Sequence, residues 1–228
     1  MDDSLTHTKK RSEELLDERT IPNGNSLSDQ FEKDDEIKCT LRAESLLAMG
    51  DFSSALDAAN QALNISPSFP RACFAAGMAL YMLKRSKDAL IALEPILSAS
   101  TPLPDALWFR ANLFRHVYGD SFPGTISAYN LALEADPENQ YARTERAAIL
   151  RTGCYYEEAC QDYEAVLSSK GEEQLLAEAA FGLGCARLVM NDPAAARRAF
   201  RQLLDISPDY PDAQEMYDLL AVENSDME

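Results

Sequence analysis

Small residues recur along this chain at a nearly fixed interval, and no other feature narrows its range of folds so far. Ala43, Gly77, Ala111, Ala147 and Gly184 follow one another at spacings of 34, 34, 36 and 37 residues. A second ladder keeps step with the first. Ala55, Ala89, Ala159 and Ala196 each lie twelve residues further on, and Thr125 lies fourteen beyond Ala111. Two antiparallel helices approach closely only where the facing side chains are small, with large neighbours filling the grooves around them. The large residues stand where this requires. Leu46, Leu80, Phe114 and Leu150 lie one turn beyond the first ladder, and Leu93, Tyr129, Tyr163 and Phe200 lie one turn beyond the second. Two ladders at one period predict repeated helix pairs, each stacked on the next.

Chain punctuation falls at the same period. Gly50-Asp51 divides the first pair, while Ile65-Ser66-Pro67, Ala135-Asp136-Pro137 and Ile206-Ser207-Pro208 close second helices, because proline cannot continue a helix. The segments Gly50-Asp51-Phe52-Ser53-Ser54-Ala55 and Ala132-Leu133-Glu134-Ala135-Asp136-Pro137 resemble the turn and exit signatures of tetratricopeptide repeats, over roughly residues 36 to 222. The resemblance implies an all-α fold, an α-α superhelix or solenoid of antiparallel helix pairs. Five repeats are expected at 36–69, 70–103, 104–139, 140–173 and 177–210. A capping helix is expected over 211–222, where Ala213, Met216, Tyr217, Leu220 and Ala221 share one face. Four departures mark the pattern. Thr101 replaces an exit proline, Pro95 should kink or shorten its helix, the Tyr118–Gly124 turn carries two extra residues, and Gln174 to Leu176 separate the last two repeats.

The ends are of different composition. Residues 1–35 mix charges with Ser, Thr, Asn and Gly and hold few large apolar groups, so a mostly disordered acidic arm is expected there. Residues 223–228, with Glu223, Asp226 and Glu228, read as an acidic tail. Over the whole chain 21 Lys and Arg face 38 Asp and Glu, a formal charge of −17. Such a field repels phosphate backbones and anionic lipid, so nucleic acid and membranes are not expected partners. With no leader-like apolar stretch and no run of roughly 20 apolar residues, a soluble cytoplasmic protein is expected. Cys39, Cys73, Cys154, Cys160 and Cys185 are scattered, with no CxxC spacing, and read as small hydrophobes in a reducing compartment.

The residues that could carry chemistry do not assemble a reaction centre. His7 and His116 are the only histidines, too few and too far apart for a triad or a metal site. Cys154 and Cys160 lack an evident base. Gly182-Leu183-Gly184 has no preceding strand, and Gly184 belongs to the packing ladder rather than to a phosphate loop. Glu157-Glu158 and Glu172-Glu173 sit near helix starts, where negative charge suits the helix dipole. No catalytic residue, metal or cofactor is expected, and the chain is not expected to be an enzyme.

The resemblance further implies that first helices line a concave groove through the second, fifth, sixth, ninth and twelfth residues of each repeat. In repeat two these are Arg71, Phe74, Ala75, Met78 and Tyr81, and in repeat three Asp105, Trp108, Phe109, Asn112 and Arg115. Repeat four supplies Tyr141, Thr144, Glu145, Ala148 and Arg151, and repeat five Glu178, Phe181, Gly182, Cys185 and Leu188. Arg71, Phe74, Met78, Tyr81, Trp108, Phe109, Asn112 and Arg115 form the candidate partner-binding set, expected to face solvent. The alternative is that Trp108 or Phe109 packs between repeats or against the N-terminal arm. One branch of the family grips terminal carboxylates with Lys and Asn. Here Thr40, Glu44 and Ala75 stand in those places, which argues against such a clamp. The expected partner is another protein, offering an extended or helical peptide with basic flanks to the acidic rim. The alternative is a self-associating subunit, a homo-oligomer within a larger assembly.

Overall fold

The computed structural model describes residues 27–98, 103–120 and 123–222, and every regular element among them is helical. In chain order the α-helices are α1 (Leu27–Met49), α2 (Phe52–Ile65), α3 (Pro70–Met82), α4 (Ser86–Leu93), α5 (Pro104–Tyr118) and α6 (Pro123–Ala135). They continue as α7 (Gln140–Thr152), α8 (Tyr156–Leu167), α9 (Glu173–Val189), α10 (Pro193–Ile206) and α11 (Ala213–Val222). The chain is all-α. The described residues form two compact units, one of those up to Gly119 with Asn130–Asp136, the other of those from Asp120 to Tyr129 and from Pro137 onward. Within each unit successive helices pack on one another.

In the first unit α1 packs on α2 and α3, α3 on α4, and α4 on α5. In the second, α7 packs on α8 and α9, α8 on α9, α9 on α10, and α10 on α11. The two small-residue ladders are the contact seams: all ten of their members are buried. The reason is visible at the glycines. A Cβ placed on Gly77 would lie 2.9 Å from Leu93 Cγ, and one on Gly184 would lie 2.7 Å from Phe200 Cζ. Leu93 and Phe200 thus rest on the backbone of the paired helix at first-ladder positions. Leu93 and Phe200 are completely buried there, and burial of such side chains contributes about 1.5–3 kcal/mol each.

One turn geometry joins the members of four pairs. Gly50, Lys84, Cys154 and Asn191 all adopt positive φ, at 81°, 64°, 67° and 58°. In each, this residue's N–H and the next one's reach back to the preceding helix: Gly50 to Leu47 and Asp51 to Leu46, Cys154 to Arg151 and Tyr155 to Leu150. The left-handed residue closes the helix and satisfies its last carbonyls. The following residue then opens the next helix, and Asp51 and Asp192 accept from the N–H groups of Ser54 and Ala195. Only the first of these turns uses glycine, so Lys84 and Cys154 hold a conformation that costs an L-residue about 1–2 kcal/mol.

The departures from periodicity have local outcomes. Helix α4 ends at Leu93 and the chain continues as a 3-10 turn over Glu94–Ser98, as expected of Pro95, which lacks an N–H and clashes with the turn before it. Helix α9 starts at Glu173 and absorbs Gln174 to Leu176, which were expected as a spacer. Helix α1 starts at Leu27, inside the segment expected to be an arm, while residues 1–26, Thr101 and 223–228 lie outside the described residues. Helix α11 buries Ala213 and Leu220 against the core formed with Phe200 and Leu203. Arg197 stacks over the Tyr217 ring at 4.3 Å.

The Phe200–Gly184 contact predicts an inverted response to a helix-favouring change. Gly184→Ala gains about 1 kcal/mol of propensity. It must also displace a buried ring, at about 1–3 kcal/mol. A lower Tm is expected, recovered by adding Phe200→Leu, and thermal unfolding monitored by circular dichroism reads both.

Candidate functional site

The eight candidate residues all lie in the first unit, on α3 and α5, and the structure brings several of them together as a packed cluster. The Phe109 ring meets Phe74 edge-on at 5.7 Å and Tyr81 edge-on at 5.8 Å, and Tyr81 in turn meets His116 at 5.9 Å. Such edge-to-face pairs add about 0.5–1.5 kcal/mol each beyond the area they bury. The ladder spacing explains the arrangement. Phe74 and Phe109 are 35 residues apart, Phe74 and Tyr81 are seven, so all three point from one face of adjacent first helices.

The expectation that the whole set faces solvent fails for three members. Trp108 and Phe109 are each 1 % exposed and Asn112 is 5 % exposed, so the middle of α5 is core rather than open groove. The cause is local: Asp105 through Leu113 are all buried, and an aromatic placed on such a helix finds neighbours on every side. Phe74, Met78, Tyr81 and Arg115 are half-buried, and Arg71 is exposed.

Arg71 is not a free cation. Its Nε and Nη2 donate to Glu44 Oε1 at 3.1 and 2.9 Å, and Nη2 also reaches Oε2 at 2.8 Å. This forked ion pair ties α3 to α1. Burial pushes the Glu44 carboxyl above its ordinary range, although the Arg71 charge pulls it down. Thr40 donates its hydroxyl to the Glu36 carbonyl at 2.8 Å. The two residues standing where a carboxylate clamp would begin are therefore already engaged, one of them with the wrong charge.

The pair also orients α1. Glu44 faces α3, and Leu41 and Ile37 lie three and seven residues before it, on the same face. They are 46 % and 43 % exposed, large aliphatic groups in water on a helix packed against α3, where Phe74, Met78 and Tyr81 are half-buried. Neither was in the candidate set. The rule that selected Arg71 and Ala75 selects Ile37 and Leu41 when applied one repeat earlier. Among the described residues, no group of three His, Cys, Asp or Glu could hold a metal ion, and no helix is long and apolar enough to cross a membrane.

Comparison with known proteins places this geometry. Family models described as tetratricopeptide repeat match residues 40–104 and 178–210. No curated protein sequence matches the chain significantly. Among solved structures it is similar to YrrB, described as a TPR protein with an unusual peptide-binding site, with TM-score 0.68 and 19 % identity over 84 % of this chain and 97 % of that one. It is also similar to MamA, with TM-score 0.66 and 15 % identity over 77 % and 93 % of the two chains. A tetratricopeptide repeat protein from Parabacteroides merdae gives TM-score 0.65 and 21 % identity over 82 % and 72 %. At these identities the likeness is one of fold.

The cluster's burial predicts an order of stabilities. Phe109→Ala removes a buried ring and should cost about 3–5 kcal/mol. Phe74→Ala, at a half-buried ring, should cost at least about 1 kcal/mol less. Urea denaturation of the two variants checks the order.

Proposed function

The chain is a tetratricopeptide-repeat protein, a fold that supports a protein-interaction module, and on that premise we propose that it binds a partner protein on the first helices of repeats one and two. The contact surface is Ile37 and Leu41 of α1 with Phe74, Met78 and Tyr81 of α3. The observation that carries this reading is the exposure of two large aliphatic residues on the face that the Glu44–Arg71 pair turns toward α3. Aliphatic and aromatic groups held on rigid helices suit an apolar anchor from an extended or helical segment. The Arg71–Glu44 pair at its edge supplies orientation rather than net affinity. The overall charge of −17 favours basic residues flanking that anchor. A solved structure of similar fold, YrrB, is described as having an unusual peptide-binding site, which supports peptide recognition on this scaffold by analogy of fold. Phe109 supports this surface through its edge-on contacts with Phe74 and Tyr81, and Trp108 and Asn112 are buried on the same helix.

The test is site-specific photo-crosslinking in native lysate, with the photoreactive residue at Leu41 or, as a control, at exposed Ser53 of α2. A discrete adduct from position 41, absent from position 53 and lost with Phe74→Asp, is expected. Adducts of twice the chain mass would replace partner binding by self-assembly. The same adducts from both positions would remove this surface from consideration.

A further inference from the structure

In the first unit the residue just before each left-handed turn position is large and apolar. Met49 precedes Gly50, Leu83 precedes Lys84 and Tyr118 precedes Gly119, at spacings of 34 and 35 residues. They stand at the C-terminal ends of α1, α3 and α5. Met49 is 79 % exposed, Leu83 37 % and Tyr118 50 %. Helix α1 packs on α3, and the Tyr81–His116 ring contact at 5.9 Å holds the ends of α3 and α5 side by side, two residues before Leu83 and Tyr118. Apolar residues scattered singly over a surface are ordinary, whereas a row repeated in register on adjacent helices marks an interaction surface.

The charge beside Leu83 is a second, independent observation. Gly50 and Gly119 take positive φ freely, but Lys84 holds φ 64°, which an L-residue adopts only at a cost. Packing fixes the backbone there, yet the lysine side chain is exposed and takes no part in packing. Strain kept at such a position points to use of the side chain. Arg85 and Lys87 extend the positive charge. Arg85 is engaged with Asp88 at 2.7 Å, while exposed Lys84 and Lys87 have no ion-pair partner among the described residues. Asp51, two residues after Met49, is occupied as the cap of α2, accepting from Ser54 N–H at 3.1 Å. Two open cations thus adjoin an apolar row in a chain whose formal charge is −17.

We propose that this turn edge, Met49, Leu83 and Tyr118 with Lys84 and Lys87, docks an acidic, apolar-bearing segment of a partner protein. The apolar side chains of the segment lie along the row and contribute most of the affinity, and its carboxylates meet the two lysines, which fix orientation and speed encounter. An anionic lipid surface fits less well, because a whole membrane faces the field of the entire acidic chain, whereas a short segment faces mainly the two lysines. The edge is separate from the Ile37–Leu41 surface, which lies 12 and 8 residues before Met49 on α1, and it selects the opposite charge.

The test uses synthetic fluorescein-labelled peptides of equal length and leucine content whose remaining positions are glutamate, lysine or serine, titrated with the full chain at low salt and read by fluorescence anisotropy. The glutamate peptide is expected to bind at least about tenfold more tightly than the lysine peptide, although the net charge of the chain favours the reverse order. Lys84→Gly separates folding from binding: relief of the left-handed strain should raise Tm while affinity for the glutamate peptide falls. Lys84→Glu combined with Lys87→Glu should turn the preference toward the lysine peptide, and Met49→Ser should weaken the glutamate peptide. Phe74→Asp, which removes the Ile37–Leu41 surface, should leave glutamate-peptide binding unchanged. Tighter binding of the lysine peptide by the wild type, no binding of any peptide, a glutamate preference that survives the double charge reversal, loss of binding in Phe74→Asp, or capture by phosphatidylserine vesicles in place of the peptide would each overturn the proposal.

Discussion

Everything in this structure depends on how closely two helices can approach. Where a first helix offers Gly77 or Gly184, the backbone itself becomes the floor of a socket, and Leu93 or Phe200 from the paired helix fills it. That contact sets the spacing of these two pairs, and the spacing decides which face of their first helices is available to something else. Helix propensity points the other way, since glycine inside a helix costs about 1 kcal/mol relative to alanine. The chain tolerates this because close packing returns more than the propensity loss at those points.

Much of this was legible in the residue pattern. The ten ladder positions required small side chains, and all ten are buried. Pro95 marked a helix end and Gly50 a turn, for reasons that belong to the backbone alone. The left-handed turns at Lys84, Cys154 and Asn191 carried a weaker signal or none, because tertiary packing there overrides residue preference. The start of α1 at Leu27 was hidden by its polar, acidic composition, which resembles that of an unfolded segment.

The candidate surface was only partly legible, for a different physical reason. A position rule tells which face of a helix a residue occupies, but not how near the next helix comes. Phe74 and Phe109 share a face, yet Phe109 is sealed beneath its neighbours while Phe74 keeps an open edge. Ile37 and Leu41 stay exposed on α1 although that helix packs on both α2 and α3. Charge follows the same logic. Arg71, Arg146 and Arg187 are neutralised by carboxylates on adjacent helices, a pairing that no sequence spacing announces.

The central claim is that close packing makes the middle of α5 core while Ile37 and Leu41 of α1 stay exposed. Trp108 is the sole tryptophan, so its fluorescence reports on that division without labelling. The measurement is the emission maximum and acrylamide quenching of the native chain against the chain unfolded in urea. A blue-shifted, poorly quenched native emission is predicted; a red-shifted native emission, quenched as readily as in the unfolded chain, would contradict the account.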